Sequence, residues 1–121
     1  MAEPSPVRAT LGELTDRPGS AAFDWAVNIL GDRCTLLVLY QISAGTHRFN
    51  DIANNIGMPR DRLALRLRRL ETQGLISRRR YCDRPPRYEY GLTGAGRSLL
   101  PALTALEIWG TKHGPSRPVA E

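Results

Sequence analysis

A mostly helical α+β fold, a winged helix-turn-helix, is predicted by three observations. Leu63, Leu67 and Leu70 recur at i, i+4 and i+7 inside an arginine-rich segment that begins at Pro59 and stops at Gly74. Two short β-type segments, Leu75–Cys82 and Tyr88–Leu92, then flank the turn Asp83-Arg-Pro-Pro-Arg87. The segments on either side carry apolar residues at helical spacing, and the last has more of them than a small domain can cover. Helix, glycine stop, strand, turn and strand in that order make a two-stranded wing behind a helix-turn-helix, followed by a C-terminal dimerisation helix.

Each element has its own local reason. Residues 1–19 hold three prolines and few large apolar groups, so they are expected to be a flexible arm, with at most a helical turn near Leu11–Leu14. Ser20 can cap a first helix whose apolar face is Phe23, Ala26, Val27 and Leu30, ending at Gly31. Asp32 can cap a second, Arg33–Ser43, apolar almost all round and therefore expected at the centre. His47-Arg48-Phe49 reads as extended, and Asn50 or Asp51 as the cap of a brief third helix through Ile56. Gly57 ends that helix, and Pro59 opens the next, where its missing N–H costs nothing.

This fourth helix, about 59–73, is the expected recognition helix; some 15 residues at ~1.5 Å each make about 22 Å, enough to lie across a groove. The two prolines should stiffen the wing tip. Thr93 is expected to cap one final helix carrying Leu99, Leu100, Leu103, Leu106 and Trp109. One domain, 20–112, and a disordered tail, 113–121, complete the organisation.

Charge points to the partner. The 121-residue chain carries a net +5, yet the window from Arg60 to Arg87 holds ten arginines against Asp61, Glu71 and Asp83, a net +7. The remainder is mildly acidic, so the positive charge is localised as a polyanion binder requires. A preference for arginine over lysine would explain the residue type but not the clustering.

A guanidinium fork fits guanine O6 and N7 and also pairs with phosphate. Arg60 and Arg66 are therefore the leading candidates for the major groove, and Ala64 is small enough to allow close approach to a base. Arg62, Arg68 and Arg69 on the same helix, and Arg48 and Asn50 near the start of the third, complete the helical part of the expected interface. On the wing, Arg78 and Arg80 share one face of their strand and Arg79 the other. At least one should reach phosphate and another pair with an acid, for which Glu89 is the candidate. Arg84 and Arg87 at the tip suit the sugar-phosphate backbone or the minor groove. The bland alternatives are a solvated amphipathic helix and a wing kept soluble by its charges.

Other chemistries find little support. Cys34, Cys82, His47 and His113 are too widely separated for metal-ligand spacing, and no phosphate loop or nucleophile elbow occurs. No metal, cofactor or enzymatic activity is expected. Cys34, inside an apolar run, reads as a buried small hydrophobe; Cys82, among basic residues, could be an exposed thiolate. No apolar run reaches the ~18 residues of a membrane span, and the start shows no signal pattern, so a cytoplasmic protein with reduced thiols and no membrane partner is expected.

These residues resemble the HxlR-type family of bacterial winged-helix regulators, relatives of the MarR group. The similarity runs from about Ala21 to Gly110. It rests on Ile29-Leu-Gly-Asp-Arg33 with Thr35-Leu-Leu-Val-Leu39; Arg48-Phe-Asn-Asp-Ile52; Leu63-x-x-Arg-Leu67-x-x-Leu70 with Gly74-Leu-Ile76; Pro85-Pro-Arg-Tyr-Glu-Tyr90-x-Leu-Thr93-x-x-Gly96; and Leu106-x-x-Trp109-Gly110. The wing block is the most specific. The resemblance implies a homodimer joined by its terminal helices, with Phe23, Leu99, Leu103, Leu106 and Trp109 at the interface, binding an inverted-repeat operator to repress or activate genes.

Three departures matter. Ala21 stands where several members carry a sensing cysteine, which argues against thiol sensing by that route. Cys34 replaces a common tryptophan and opens volume. Pro59 replaces a small hydroxyl cap. The first expectation is thus a sequence-specific regulator of double-stranded DNA. An alternative adds a small apolar effector in a dimer-interface pocket formed by Trp25, Cys34, Leu37 and Trp109, whose binding releases DNA. A constitutive DNA binder without operator is the plain competitor.

Overall fold

The computed structural model describes residues Ser20–Pro115. The arm expected over residues 1–19, and the tail beyond Pro115, lie outside the described residues. Eight elements follow in order: α1 Ala21–Leu30, α2 Arg33–Ser43, α3 Phe49–Ile56, α4 Arg60–Thr72, β1 Ile76–Asp83, β2 Pro86–Leu92, α5 Gly94–Arg97 and α6 Leu100–His113. They fall into two compact units, one ending at Leu36 and one beginning at Leu37, with α2 running through the boundary.

In the first unit, the Ser20 hydroxyl accepts the Phe23 amide at 3.1 Å and fixes the start of α1. Asp32 does the same for α2, its two carboxylate oxygens taking the Thr35 amide at 2.8 Å and the Thr35 hydroxyl at 3.0 Å. Phe23 and Trp25 are exposed. Cys34, expected to be buried, is only half-buried, because it lies in the first turn of α2 rather than in its covered middle.

The second unit is built around Val38, Leu39 and Ile42 of α2, Ile52 and Ala53 of α3, Leu63, Leu67 and Leu70 of α4, Ile76 of β1 and Leu103 of α6, all buried. The leucine stripe read from the sequence is thus the one that anchors α4. The turn between α3 and α4 turns on Gly57, whose φ of 75° lies in the left-handed region that favours glycine, while Met58 behind it is buried.

Three boundaries differ from expectation, each for a visible reason. Helix α3 begins at Phe49 because Arg48 is extended and pairs with Glu89, while the His47 carbonyl accepts the Tyr90 amide at 2.8 Å. Arg48 therefore makes an isolated bridge at the edge of the two-stranded sheet, and Asn50 lies inside the helix rather than capping it. The wing turn is Arg84-Pro85 alone: Tyr81 bulges out of β1 between the Arg80–Tyr88 and Cys82–Arg87 pairs, and Pro86 opens β2 opposite Asp83.

The terminal helix is split. Thr93 caps only the short α5, its hydroxyl accepting the Gly96 amide at 3.1 Å. Pro101 has no N–H to continue the ladder to Arg97, so the chain restarts as α6 with proline in its first turn. Gly96 is required by space: a Cβ there would lie 2.1 Å from the Leu75 carbonyl oxygen. The α5 turn thereby seats directly on the start of the wing, where the Thr93 amide donates to that same carbonyl at 3.0 Å.

Candidate nucleic-acid interface

Helix α4 presents two unlike faces. Leu63, Leu67 and Leu70 are buried, so the residues about half a turn away, Asp61, Leu65, Arg68 and Thr72, form its outward row. Arg62 and Arg69 flank that row on one side, and half-buried Ala64 lies on the other. Arg66 is half-buried at the edge of the leucine stripe. Arg62 and Arg68 are exposed with no side-chain partner among the described residues. Arg60, at the first position of α4, donates to the Asn50 side-chain oxygen of α3, and its guanidinium lies 5.9 Å from the centre of the Phe49 ring. The two helices are thus tied at the end where both begin.

The wing treats its arginines differently. Arg79 pairs with Glu89 directly opposite, at 2.9 Å. Arg78 reaches Glu71 of α4 at 3.5 Å and stacks 4.3 Å over Tyr88. Arg80 donates to the Tyr88 hydroxyl at 3.2 Å and lies 3.6 Å from Asp83. Tyr88 therefore sits between two guanidinium groups, and its hydroxyl raises the Arg80 pKa further above its already high ordinary value. The triple arginine with Glu71, Glu89 and Asp83 is a locally neutral cluster. Of the wing arginines only Arg84 and Arg87, at the tip, have no side-chain partner among the described residues.

Between the start of α3 and the wing lies a groove of about 420 Å³, lined by Arg48, Asn50, Tyr81, Arg87, Tyr88 and Tyr90 among others. Arg48 stacks 4.2 Å over Tyr81 on its wall. Burial pushes the Tyr90 hydroxyl pKa up, and nearby Arg78 partly offsets it. The neighbouring groove holds His47, Asp51, Asn55 and Glu89. Among the described residues no group of three or more ligating side chains could hold a metal ion, and no helix is long and apolar enough to cross a membrane.

The expected site residues therefore separate. Arg48, Asn50 and Arg87 line one groove, Arg60 reaches Asn50 beside it, and Arg62, Arg68 and Arg69 are exposed along α4. Arg78 and Arg80 are exposed but paired with Glu71, Asp83 and Tyr88. Of the residues expected at a dimer interface, Leu106 and Trp109 are exposed, Leu99 is half-buried, and Leu103 belongs to the core of its own unit. Of those expected around an effector, Trp25 and Trp109 are exposed, Cys34 and Leu37 half-buried, and neither groove includes them. Sequence reasoning missed Phe49, Tyr81, Tyr88 and Leu65. The hairpin register, which sets Tyr88 across from Arg80, would have found one of them; Leu65 announces itself only as an apolar residue out of step with the leucine stripe.

A family model described as HxlR-like helix-turn-helix matches residues 29–118. An uncharacterized HTH-type transcriptional regulator of Mycobacterium tuberculosis is 39% identical over 105 residues, covering 87% of this chain; the chain spans 66% of that relative's length. An uncharacterized HTH-type transcriptional regulator of Methanothermobacter thermautotrophicus is 43% identical over 90 residues, covering 74% of this chain and 69% of its own. Among solved structures, the redox regulator HypR in its reduced form superposes with a TM-score of 0.70 at 29% identity, covering 76% of this chain and 92% of HypR.

Proposed function

The chain belongs to the HxlR-like helix-turn-helix family, and from that premise we propose that it is a DNA-binding transcriptional regulator and not an enzyme. One observation carries the reading: a helix anchored by a leucine stripe turns Arg62 and Arg68 outward, beside a wing whose tip carries Arg84 and Arg87, all four exposed and without a side-chain partner among the described residues. In this reading α4 enters the major groove, with Arg60, Arg62, Arg68 and Arg69 toward base edges and phosphates. Arg84 and Arg87 meet the backbone alongside, and Arg48 closes the gap between. Arg66, half-buried, supports the helix edge.

The protein acts as a homodimer on an inverted repeat. Leu106 and Trp109 on one stripe of α6 are 55% and 64% exposed, more apolar surface than one exposed helix normally leaves to water. Two recognition helices related by a two-fold would lie about 34 Å apart, one turn of B-DNA. Selecting bound duplexes from a random library tests this in one step. The expected outcome is a single palindromic consensus with half-sites about 10 base pairs apart; recovery of unrelated sequences would overturn sequence-specific regulation. The effector reading gains no support from the two grooves, which are polar and lined by other residues.

A further inference from the structure

Leu65 is 63% exposed although it sits on a helix whose other leucines are buried. Two residues from Leu63, at ~100° per residue, it points about 160° away from the core stripe. Its neighbours on that face are Asp61, Arg68 and Thr72, with Arg62 and Arg69 beside them. The other large apolar side chains that are exposed, among the described residues, lie off α4. One leucine set among Asp61, Thr72 and three arginines is too small to be a protein-docking patch, which needs contiguous apolar surface. It is the right size to meet one methyl group.

Base edges in the major groove carry one apolar substituent, the C5 methyl of thymine; every other feature there is a hydrogen-bond donor or acceptor. We infer that Leu65 reads a thymine methyl and is a specificity-determining residue. This rests on the DNA-binding reading above and goes beyond it by naming the base. The arginines around Leu65 hold phosphates and guanines, while the isobutyl group closes over the methyl and excludes water. The operator therefore has an A·T pair with its thymine facing the middle of α4, at symmetric positions in both half-sites.

The test uses the full chain and the duplex it selects from a random library. Each thymine is replaced in turn by deoxyuridine, which removes the methyl and leaves every hydrogen-bonding group in place. Wild-type protein should lose roughly 3- to 5-fold in affinity at one symmetric pair of positions, about the transfer of one methyl back to water. Leu65→Ala should bind the thymine duplex that much more weakly and be indifferent to uracil at the same positions. Its thermal unfolding should match wild type, because the side chain is exposed. If no sequence is selected, the DNA-reading premise fails and the inference falls with it. If an operator is selected but uracil costs Leu65→Ala as much as wild type at every position, the premise stands and the assignment to Leu65 is overturned.

Discussion

The outward face of α4 and the trunk of the wing are both arginine-rich, yet they are electrostatically opposite. On α4, Arg62 and Arg68 stand in solvent with Asp61 as the acid in their row. On β1, Arg78, Arg79 and Arg80 are matched by Glu71, Glu89 and Asp83 and stacked on Tyr88. Exposed ion pairs of this kind stabilise by only about 0–1 kcal/mol each. Their consequence is for the field: three arginines matched by three acids carry no net charge. A run of like charges in sequence is therefore not a measure of available charge. Of these two regions, the arginines left without a side-chain partner among the described residues are Arg62 and Arg68 on α4 and Arg84 and Arg87 at the wing tip.

The comparison assumes that both regions hang on one core, and its largest test removes the anchor. Leu67 is fully enclosed, so Leu67→Ala should cost about 2–5 kcal/mol in denaturant unfolding. Loss of less than about 1 kcal/mol would show that α4 is not held by this stripe. The second test sets one arginine against another. Arg68→Ala should weaken operator binding by about 1–3 kcal/mol and random DNA by less. Arg79→Ala, which removes a charge already matched by Glu89, should change operator affinity by less than about twofold, within the usual scatter of a neutral surface change. Equal losses in titrations of the two variants would erase the distinction drawn between helix and trunk.

The third and smallest effect belongs to the tip. Arg84→Ala and Arg87→Ala should each weaken operator and random duplexes alike and lower the slope of log affinity against log salt by about one. An unchanged slope would remove the tip from the phosphate-contacting set and leave α4 alone in that role.

Much of the fold was legible because it depends on patterns local to the chain. The spacing of Leu63, Leu67 and Leu70, the Ser20 and Asp32 caps and the Gly57 and Gly74 stops each act within a few residues, and each is where the pattern put it. What was not legible depends on partners far along the chain. Arg48 is extended because Glu89 pairs with it 41 positions later, so α3 starts at Phe49 and Asn50 holds Arg60 instead of capping. Leu103, expected at the interface, is buried within its own unit. Leu65 was passed over because a leucine among leucines reads as core until the burial of its neighbours shows it faces out.

The central claim is that α4 lies in the major groove, and interference by guanine methylation tests it most directly. Methylating N7 blocks that edge of guanine in the major groove alone. The account predicts that methylation abolishes binding at guanines in two major-groove segments about 34 Å apart along the selected duplex. Binding that survives methylation at every guanine, while methylation of adenine N3 in the minor groove blocks it, would contradict the account.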